Sequence, residues 1–361
     1  MSKIRFLKYL LNVLFVFVCV SAAFSQVQPY YQSINLNLTG DLLKNQLSNL
    51  ISTTHQNKLE YTDNFSIDTW DLIKLSDVVT NNSLKVLLIY GYNDNDASVE
   101  NDRTRDKSLS CHTGPCYGLW NREHVYPKSL ASPSLSINFP SAGTDVHNLR
   151  ACDYSTNSNR SNKKFDSGSG NSYSNNQGNW YPGDEWKGDV ARIIMYMFVR
   201  YQNQCEPGNV GVGTQLYSPN GDMPDIFLEW NVSDPVSEFE ELRNDAIANV
   251  QGNRNPFIDN PYLATLIWDG PIAEDKWPSI NSSLDGVFDK IYPKIKYSNY
   301  GFKIEKLDFN QFVSIELINL QGQTSTVSKE AFIETKNLNS GLYLVKINMK
   351  SNFYLCKIFL N

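Results

Sequence analysis

An acidic residue and a histidine stand side by side in the stretch LWNREHVYPKS, as Glu123 and His124. Histidine is rare in this chain, with four among 361 residues. A neutral imidazole, whose ordinary pKa is about 6.5, can take a proton from water. A carboxylate can hold a hard divalent cation. The commoner interpretation of an isolated Glu-His pair is a strand end with solvated polar side chains, so further residues are needed to choose between the two.

Such residues follow about thirty positions later, in TDVHNLRACDYSTNSNRSNKKF. Asn157, Arg160 and Lys164 are three and four residues apart, which places them on one face of a helix. Hydrolysis of a phosphodiester needs a base for water and a cation that neutralises charge on the phosphate. His124 is suited to the first task, and the oxygens of Glu123 and Asn157 are suited to the second. Magnesium keeps several of its waters, so two protein ligands suffice.

The pattern around these residues predicts a strand, a connection, a second strand and a helix. The first strand ends at Glu123 and His124, and the second occupies residues 144–149. Asp153 is placed to cap the helix, which is expected to continue through Lys164. Neighbours on an ideal strand point to opposite faces. Glu123 and His124 can therefore share a site only where the strand ends and twists.

The motifs NREHVYPKS and DVHNL, followed by RSN, resemble those of the endonuclease I family of ββα-metal nucleases. Residues 184–201 and 229–261 are similar to the family's long helix after the active site and to its closing segment. The resemblance thus covers about residues 30–270. It implies a secreted or periplasmic enzyme that cuts DNA, and often RNA, with little sequence preference and leaves 5′-phosphate ends.

The resemblance also implies roles for individual residues. His124 would be the general base, and Glu123 and Asn157 would hold the metal, which is expected to be Mg²⁺, with Ca²⁺ or Mn²⁺ as alternatives. Arg160 would contact a phosphate or have a structural role. His147 is interpreted from the residues as mainly structural or as a support of the catalytic histidine, with direct catalysis as the alternative.

Other polar residues of the region have simpler interpretations. Asp145 and Asp153 are expected to be caps or strand-end acids, with a further metal contact as the alternative. His55 and His112 are interpreted as surface residues without a role in the chemistry.

The two ends of the chain predict export. Residues 1–25 have a basic start, a short apolar run and a small-residue end, the pattern of a secretory signal peptide. Residues 286–361 predict a small β-sandwich, and the blocks NLQG and LNSGLYLVKI resemble the C-terminal sorting domain of type IX secretion. An ordinary carbohydrate- or cell-binding β-module is the alternative.

The expected fold class is therefore α+β. Residues 26–285 would form a mainly helical domain with a ββα nuclease core, and the β-sandwich would follow. The mature chain is expected to be monomeric, without stable membrane insertion, and to reach the medium or cell surface through the periplasm. Its partners would be nucleic acid and the secretion machinery.

Five cysteines remain after removal of the leader, and CHTGPC could close a small disulfide loop between Cys111 and Cys116. A zinc site is the rival interpretation, and His112 alone supplies few further ligands. The odd number leaves at least one thiol without a partner.

The net charge of −6 means that attraction to nucleic acid must be local. Residues 120–200 have nine Lys and Arg against seven Asp and Glu, which predicts binding that weakens readily with salt.

Two classes of function fit these patterns. The first is a secreted metal-dependent nuclease, and the second is a noncatalytic surface or adhesion protein on a nuclease scaffold. Glu123, His124 and Asn157 together favour the first, because a binding module has no use for a base beside metal ligands. A secreted metalloprotease is disfavoured since the chain has no HExxH motif.

Overall fold

A computed structural model describes residues 27–277 and, in the C-terminal part, residues 294–298, 300–305, 312–319, 323–336, 338–350 and 353–360. The predicted signal peptide and the predicted domain boundary after residue 285 lie outside the described residues. In the described part of the chain, no helix is both long and apolar enough to cross a membrane.

The first described part is mainly helical, with three small antiparallel sheets. Its helices are α1 Gly40–Thr54, α2 Thr69–Ser76, α3 Tyr154–Arg160, α4 Lys187–Tyr201, α5 Asp225–Ser233, α6 Glu238–Gln251, α7 Pro256–Asp259 and α8 Tyr262–Trp268. Its strands are β1 Val78–Val79, β2 Asn82–Leu87, β3 Thr104–Asp106, β4 Trp120–His124, β5 Leu149–Asp153, β6 Tyr173–Ser174 and β7 Trp180–Tyr181. They pair as β1-β2-β3, β4-β5 and β6-β7. The α+β class is therefore confirmed.

The described residues of the C-terminal part form a β unit. Its strands are β8 Lys294–Ser298, β9 Gly301–Glu305, β10 Phe312–Asn319, β11 Thr324–Ser328, β12 Phe332–Glu334, β13 Gly341–Met349 and β14 Phe353–Leu360. They form one sheet in the order β11-β10-β13-β14 and a second in the order β12-β9-β8. Side chains of both sheets, among them Ile304, Ile315 and Val345, belong to one apolar cluster. The alternating apolar pattern of the sequence predicts this arrangement.

Helix α4 is the centre of the first part. Twelve of its fifteen residues are buried, as expected for a helix with apolar residues on all sides. Helices α1, α5 and α7 pack around it. Its buried Arg192 has a carboxylate partner in Glu240 at 2.7 Å, as a charge in the interior requires.

The strand–strand–helix unit that the sequence predicts is formed by β4, β5 and α3. Glu123 stands opposite Arg150 and His124 opposite Leu149 in the antiparallel pair. Helix α3 follows directly after β5. The side chain of Asp153, the last residue of β5, accepts the backbone N–H of Thr156 at 2.9 Å and so caps the helix.

Two predicted boundaries in this unit are wrong. Residues 144–149 are not a strand: residues 146–148 form a short 3₁₀ helix, and the strand starts at Leu149. The reason is local, since the Asp145 carboxylate accepts the N–H of His147 at 3.0 Å and favours a turn. Helix α3 ends at Arg160, and Ser161 takes a positive φ of 52°.

A buried charge network fixes β5 in place. Asp77 is fully buried and accepts from the side chains of Arg150 at 3.1 Å and Arg243 at 2.8 Å. Arg243 also donates to the carbonyl groups of Val146 at 2.7 Å and Leu149 at 2.5 Å. The start of β5, and with it the partner strand β4, is thereby tied to the helical part.

Candidate active site

The three main site residues of the sequence analysis meet in one cleft. Its volume is about 410 Å³. Strand β4 supplies Glu123 and His124 to its wall, and α3 supplies Asn157. The complete lining consists of Tyr61, Asn121, Arg122, Glu123, His124, Pro127, Lys128, Ser129, Asn157, Ser161 and Asn162.

The ring of His124 has one anchored and one free nitrogen. Its Nε2 lies 2.8 Å from the carbonyl oxygen of Gly143. A carbonyl oxygen only accepts, so Nε2 has the proton and Nδ1 has the lone pair. Among the described residues, Nδ1 has no hydrogen-bond partner. Burial lowers the pKa of His124 to about 3, and the nearby cations Lys128 and Arg122 add to this. The imidazole is therefore neutral at neutral pH.

The carboxylate of Glu123 is held by one of its oxygens. Oε1 accepts from the Tyr90 hydroxyl at 3.1 Å and lies 3.3 Å from Nη1 of Arg160. No residue in the range 27–277 donates to Oε2. Burial raises the pKa of Glu123 to about 7, although the charge of Arg160 opposes the shift.

Arg160 does not line the cleft. It is fully buried, and it donates to the backbone oxygens of His124 at 3.3 Å and Val125 at 2.8 Å. Its guanidinium also lies over the ring of Phe165, 4.6 Å from the centroid. Arg160 thus supports the end of β4 and the back of Glu123, and this placement favours a structural role over contact with a phosphate.

Asn157 presents an oxygen in the cleft. Its Nδ2 donates to Oδ1 of Asn121 at 2.8 Å, which leaves Oδ1 of Asn157 with no partner among the described residues. Two hard oxygen donors, Oε2 of Glu123 and Oδ1 of Asn157, therefore remain available. These donors suit Mg²⁺, Ca²⁺ or Mn²⁺. In the described ranges, no cluster of three or more His, Cys, Asp or Glu could hold a metal, so a cation here would rely on these two oxygens, water and substrate.

The zinc interpretation is wrong. Cys111 and Cys116 are joined in a disulfide, so neither thiolate is available to a metal. Cys152 and Cys205 are free thiols, and both are buried.

The remaining histidines lie outside the cleft. His147 is buried, with its Nε2 3.2 Å from the carbonyl oxygen of Asn253. His112 is exposed and stacks on Trp70, with centroids 4.2 Å apart. The interpretation of His55 as a surface residue is wrong, because it is buried.

The other predicted polar residues are also occupied elsewhere. Asp145 is buried and accepts from the hydroxyls of Tyr196 at 2.6 Å and Tyr201 at 2.9 Å. Asp153 pairs with Arg105 at 2.6 Å in addition to its capping role. Lys164 lies beyond the end of α3 and donates to the carbonyl oxygen of Gly208. The predicted shared face of Asn157, Arg160 and Lys164 is therefore not formed.

The sequence analysis did not identify Asn121, Tyr90 and Lys128 as site residues. The sequence could have indicated Asn121, because it lies two residues before Glu123 on the same strand, and alternate residues of a strand point to the same face. Tyr90 follows an apolar run at its end, but its contact with Glu123 depends on how distant segments pack. Lys128 follows Pro127, and no pattern in the neighbouring sequence distinguishes it from an ordinary surface lysine.

Comparison with known protein families shows the class of protein to which the chain belongs. Residues 39–262 match the family described as Endonuclease I, and residues 294–361 match the secretion system C-terminal sorting domain. The class is thus an exported nuclease, a hydrolase of phosphodiester bonds. The chain belongs to the endonuclease I family and has a C-terminal sorting domain.

Two curated relatives are similar over most of their length. The chain is 36% identical over 260 residues to a protein named extracellular ribonuclease from Bacillus subtilis (strain 168). The aligned region covers 69% of this chain and 81% of the relative. The chain is 36% identical over 259 residues to the protein of the same name from Bacillus amyloliquefaciens, covering 68% and 79%.

Proposed function

We propose that the protein is a secreted, divalent-cation-dependent endonuclease that cuts DNA and RNA with little sequence preference. The observation that supports this most is the content of one cleft: a neutral imidazole with a free Nδ1, and the two available oxygens of Glu123 and Asn157. All of these groups come from one chain, which supports action as a monomer.

His124 is the general base in this proposal. Its Nδ1 takes a proton from the attacking water as the water oxygen bonds to phosphorus. The bond from phosphorus to the 3′ oxygen then breaks, and that oxygen takes a proton from solvent to become a hydroxyl, so that the product keeps a 5′-phosphate. The hydrogen bond from Nε2 to the carbonyl of Gly143 fixes the ring and stabilises it when it becomes positive. General base catalysis of this kind contributes about 10²–10⁴-fold to the rate.

Glu123 and Asn157 are the residues that would hold the cation. When bound, the cation would neutralise the charge that grows on the phosphate. Tyr90 and Arg160 orient the Glu123 carboxylate from behind, and Arg160 is therefore a positioning residue in this proposal. The arrangement of β4, β5 and α3 around these groups supports the ββα-metal class.

The substrate proposal has two supports. Both curated relatives are named extracellular ribonuclease, which supports RNA as one substrate. The cleft lining is rich in hydroxyl, amide and cationic side chains. Such groups contact phosphate and sugar and do not distinguish bases. Much of the predicted local positive charge is internal, however, because Arg150, Arg160 and Arg192 are buried.

Digestion of supercoiled plasmid and of ribosomal RNA by the mature chain tests the proposal. We expect cleavage of both with Mg²⁺ and loss of cleavage with EDTA. The products should accept ligation at 5′-phosphate ends without prior phosphorylation. Absence of cleavage with Mg²⁺, Ca²⁺ and Mn²⁺ would favour the noncatalytic surface protein, and undiminished cleavage in EDTA would contradict the cation requirement.

A further inference from the structure

Two cationic residues line the cleft, Arg122 and Lys128, and only Arg122 is immobilised by neighbours. Its Nη1 donates to the carbonyl oxygen of Tyr61 and to the hydroxyl of Thr69. Its guanidinium lies 3.3 Å from the centroid of the Tyr61 ring and 4.0 Å from that of Trp70. Arg122 is thus part of the cleft wall.

Lys128 has none of the contacts that hold Arg122 among the described residues. It is half-buried, and within the described residues its ammonium group has neither a hydrogen-bond acceptor nor a carboxylate partner. The single acid of the cleft lining is Glu123, and Oε1 of that residue is occupied by Tyr90 and Arg160. No ion pair joins Lys128 to Glu123 or to another carboxylate among the described residues, so the lysine charge is left without a direct partner.

Lys128 lies in the stretch of the cleft wall that follows β4 in the chain. It begins the 3₁₀ helix Lys128–Leu130, directly after Pro127. Its neighbour Ser129 is hydrogen-bonded to Nδ2 of Asn162 at 3.2 Å. Both residues are exposed polar groups of the lining. Neither of them is one of the two residues, Glu123 and Asn157, that would hold the cation.

We propose that Lys128, together with Ser129 and Asn162, forms a subsite for a backbone phosphate of the substrate other than the one that is cut. The inference rests on the proposed nuclease function and adds a substrate contact to it. A lysine is a point charge with rotatable donors, which suits a phosphate whose position varies with sequence. The subsite binds substrate before and during the reaction alike, so it contributes to affinity and not to the chemical step.

This assignment has two measurable consequences. Removing a contact that is equal in the ground and transition states raises KM and leaves kcat unchanged. Each phosphate contact also contributes about −0.9 to the slope of log affinity against log salt on duplex DNA, and about −0.7 on single strands. A lysine with a purely structural role would not change that slope.

The test compares the mature chain with Lys128→Ala, using a defined DNA duplex at constant Mg²⁺. We expect a higher KM, an unchanged kcat and a salt slope for kcat/KM that is about 0.9 less steep. Between about 50 and 200 mM salt, the wild type should then lose about threefold more kcat/KM than the variant. Lys128→Arg should keep most of the slope, because it keeps the charge.

Lys58→Ala is the matched control, since Lys58 is exposed and does not line the cleft, and it should leave the slope unchanged. An unchanged slope for Lys128→Ala, or a fall in kcat at constant KM, would overturn the inference. Fluorescence anisotropy of a labelled duplex in EDTA measures the same slope without cleavage. It therefore tests the subsite even if the wild-type chain fails to cut, an outcome that would contradict only the proposed function.

Discussion

The hydroxyl of Tyr90 donates a hydrogen bond to Oε1 of Glu123 at 3.1 Å. The two residues are 33 positions apart in the chain. Tyr90 takes a positive φ of 73°, which is uncommon for a residue with a bulky side chain. The next residue, Gly91, has no room for a Cβ, which would lie 2.1 Å from the carbonyl oxygen of Asp102. The chain thus passes close to the backbone of Asp102 directly after Tyr90, whose hydroxyl reaches the carboxylate of Glu123.

Tyr90→Phe should therefore weaken the use of the cation. The variant keeps the ring and its edge contact with Trp180 but loses the hydroxyl that orients Glu123. Loss of such an outer contact costs about 10–100-fold in metal affinity or activity. A Mg²⁺ titration of the cleavage rate measures this. Tyr126→Phe is the control, because that hydroxyl binds the carbonyl oxygen of Glu206. Equal half-saturating Mg²⁺ for Tyr90→Phe and wild type would contradict the role.

Glu123→Gln and Asn157→Ala should each raise the Mg²⁺ concentration needed for half-maximal cleavage. The cation loses a charged oxygen in the first variant and an amide oxygen in the second, so high Mg²⁺ should restore part of the rate in both. Asn159→Ala, an exposed change on the same helix, should behave as wild type. A lower rate with an unaltered Mg²⁺ dependence in both variants would argue against cation binding by these residues.

Asp77→Ala should destabilise the nuclease domain strongly. The change leaves the buried guanidinium groups of Arg150 and Arg243 without their shared partner. Removing one member of a buried ion pair costs about 3–5 kcal/mol. Urea unfolding followed by tryptophan fluorescence reports this domain alone, because all seven tryptophans lie before residue 278. Glu241→Ala, which removes a surface pair with Lys276, should cost less than about 1 kcal/mol. Similar losses for both variants would contradict the importance of the network.

His147 should make the stability of the domain depend on pH. Burial lowers its pKa to about 4, against the opposing charge of Asp145. In the unfolded chain its pKa is about 6.5, so the unfolded state binds the proton first as the pH falls. The free energy of unfolding should thus decrease between about pH 6.5 and pH 4, by on the order of 3 kcal/mol.

His147→Gln removes this titration. Its amide can still donate to the carbonyl oxygen of Asn253, so we expect a smaller difference in unfolding free energy between about pH 7 and pH 4.5 than in the wild type. Tryptophan-monitored urea unfolding at both pH values measures it. The same difference in both proteins would show that His147 does not titrate on unfolding.

Local sequence signals predicted the parts of the site that depend on neighbouring residues. The strand end at Glu123 and His124 and the cap at Asp153 follow from alternation and capping within a few residues. The start of β5 was misplaced because the turn at Asp145 depends on a side-chain contact with the N–H of His147. The alternation of apolar residues in the sequence gives no information about that contact.

Contacts between distant segments were not predictable in this way. Arg160 has the spacing of a cleft residue, yet helix α3 ends at it and its side chain turns into the interior toward Val125 and Phe165. The Tyr90 contact with Glu123 and the burial of His55 likewise depend on tertiary packing. The predicted positive charge near the site was overestimated, because charges such as Arg150 and Arg192 are neutralised in the core.

The most direct test of the account is the single-turnover rate of plasmid cleavage by His124→Ala at saturating Mg²⁺. The account predicts a loss of about 10²–10⁴-fold, since the free Nδ1 of this residue is the proposed base. His112→Ala is the control, because that histidine is exposed and lies outside the cleft, and it should cut at the wild-type rate. Cleavage by His124→Ala at the wild-type rate would contradict the central claim.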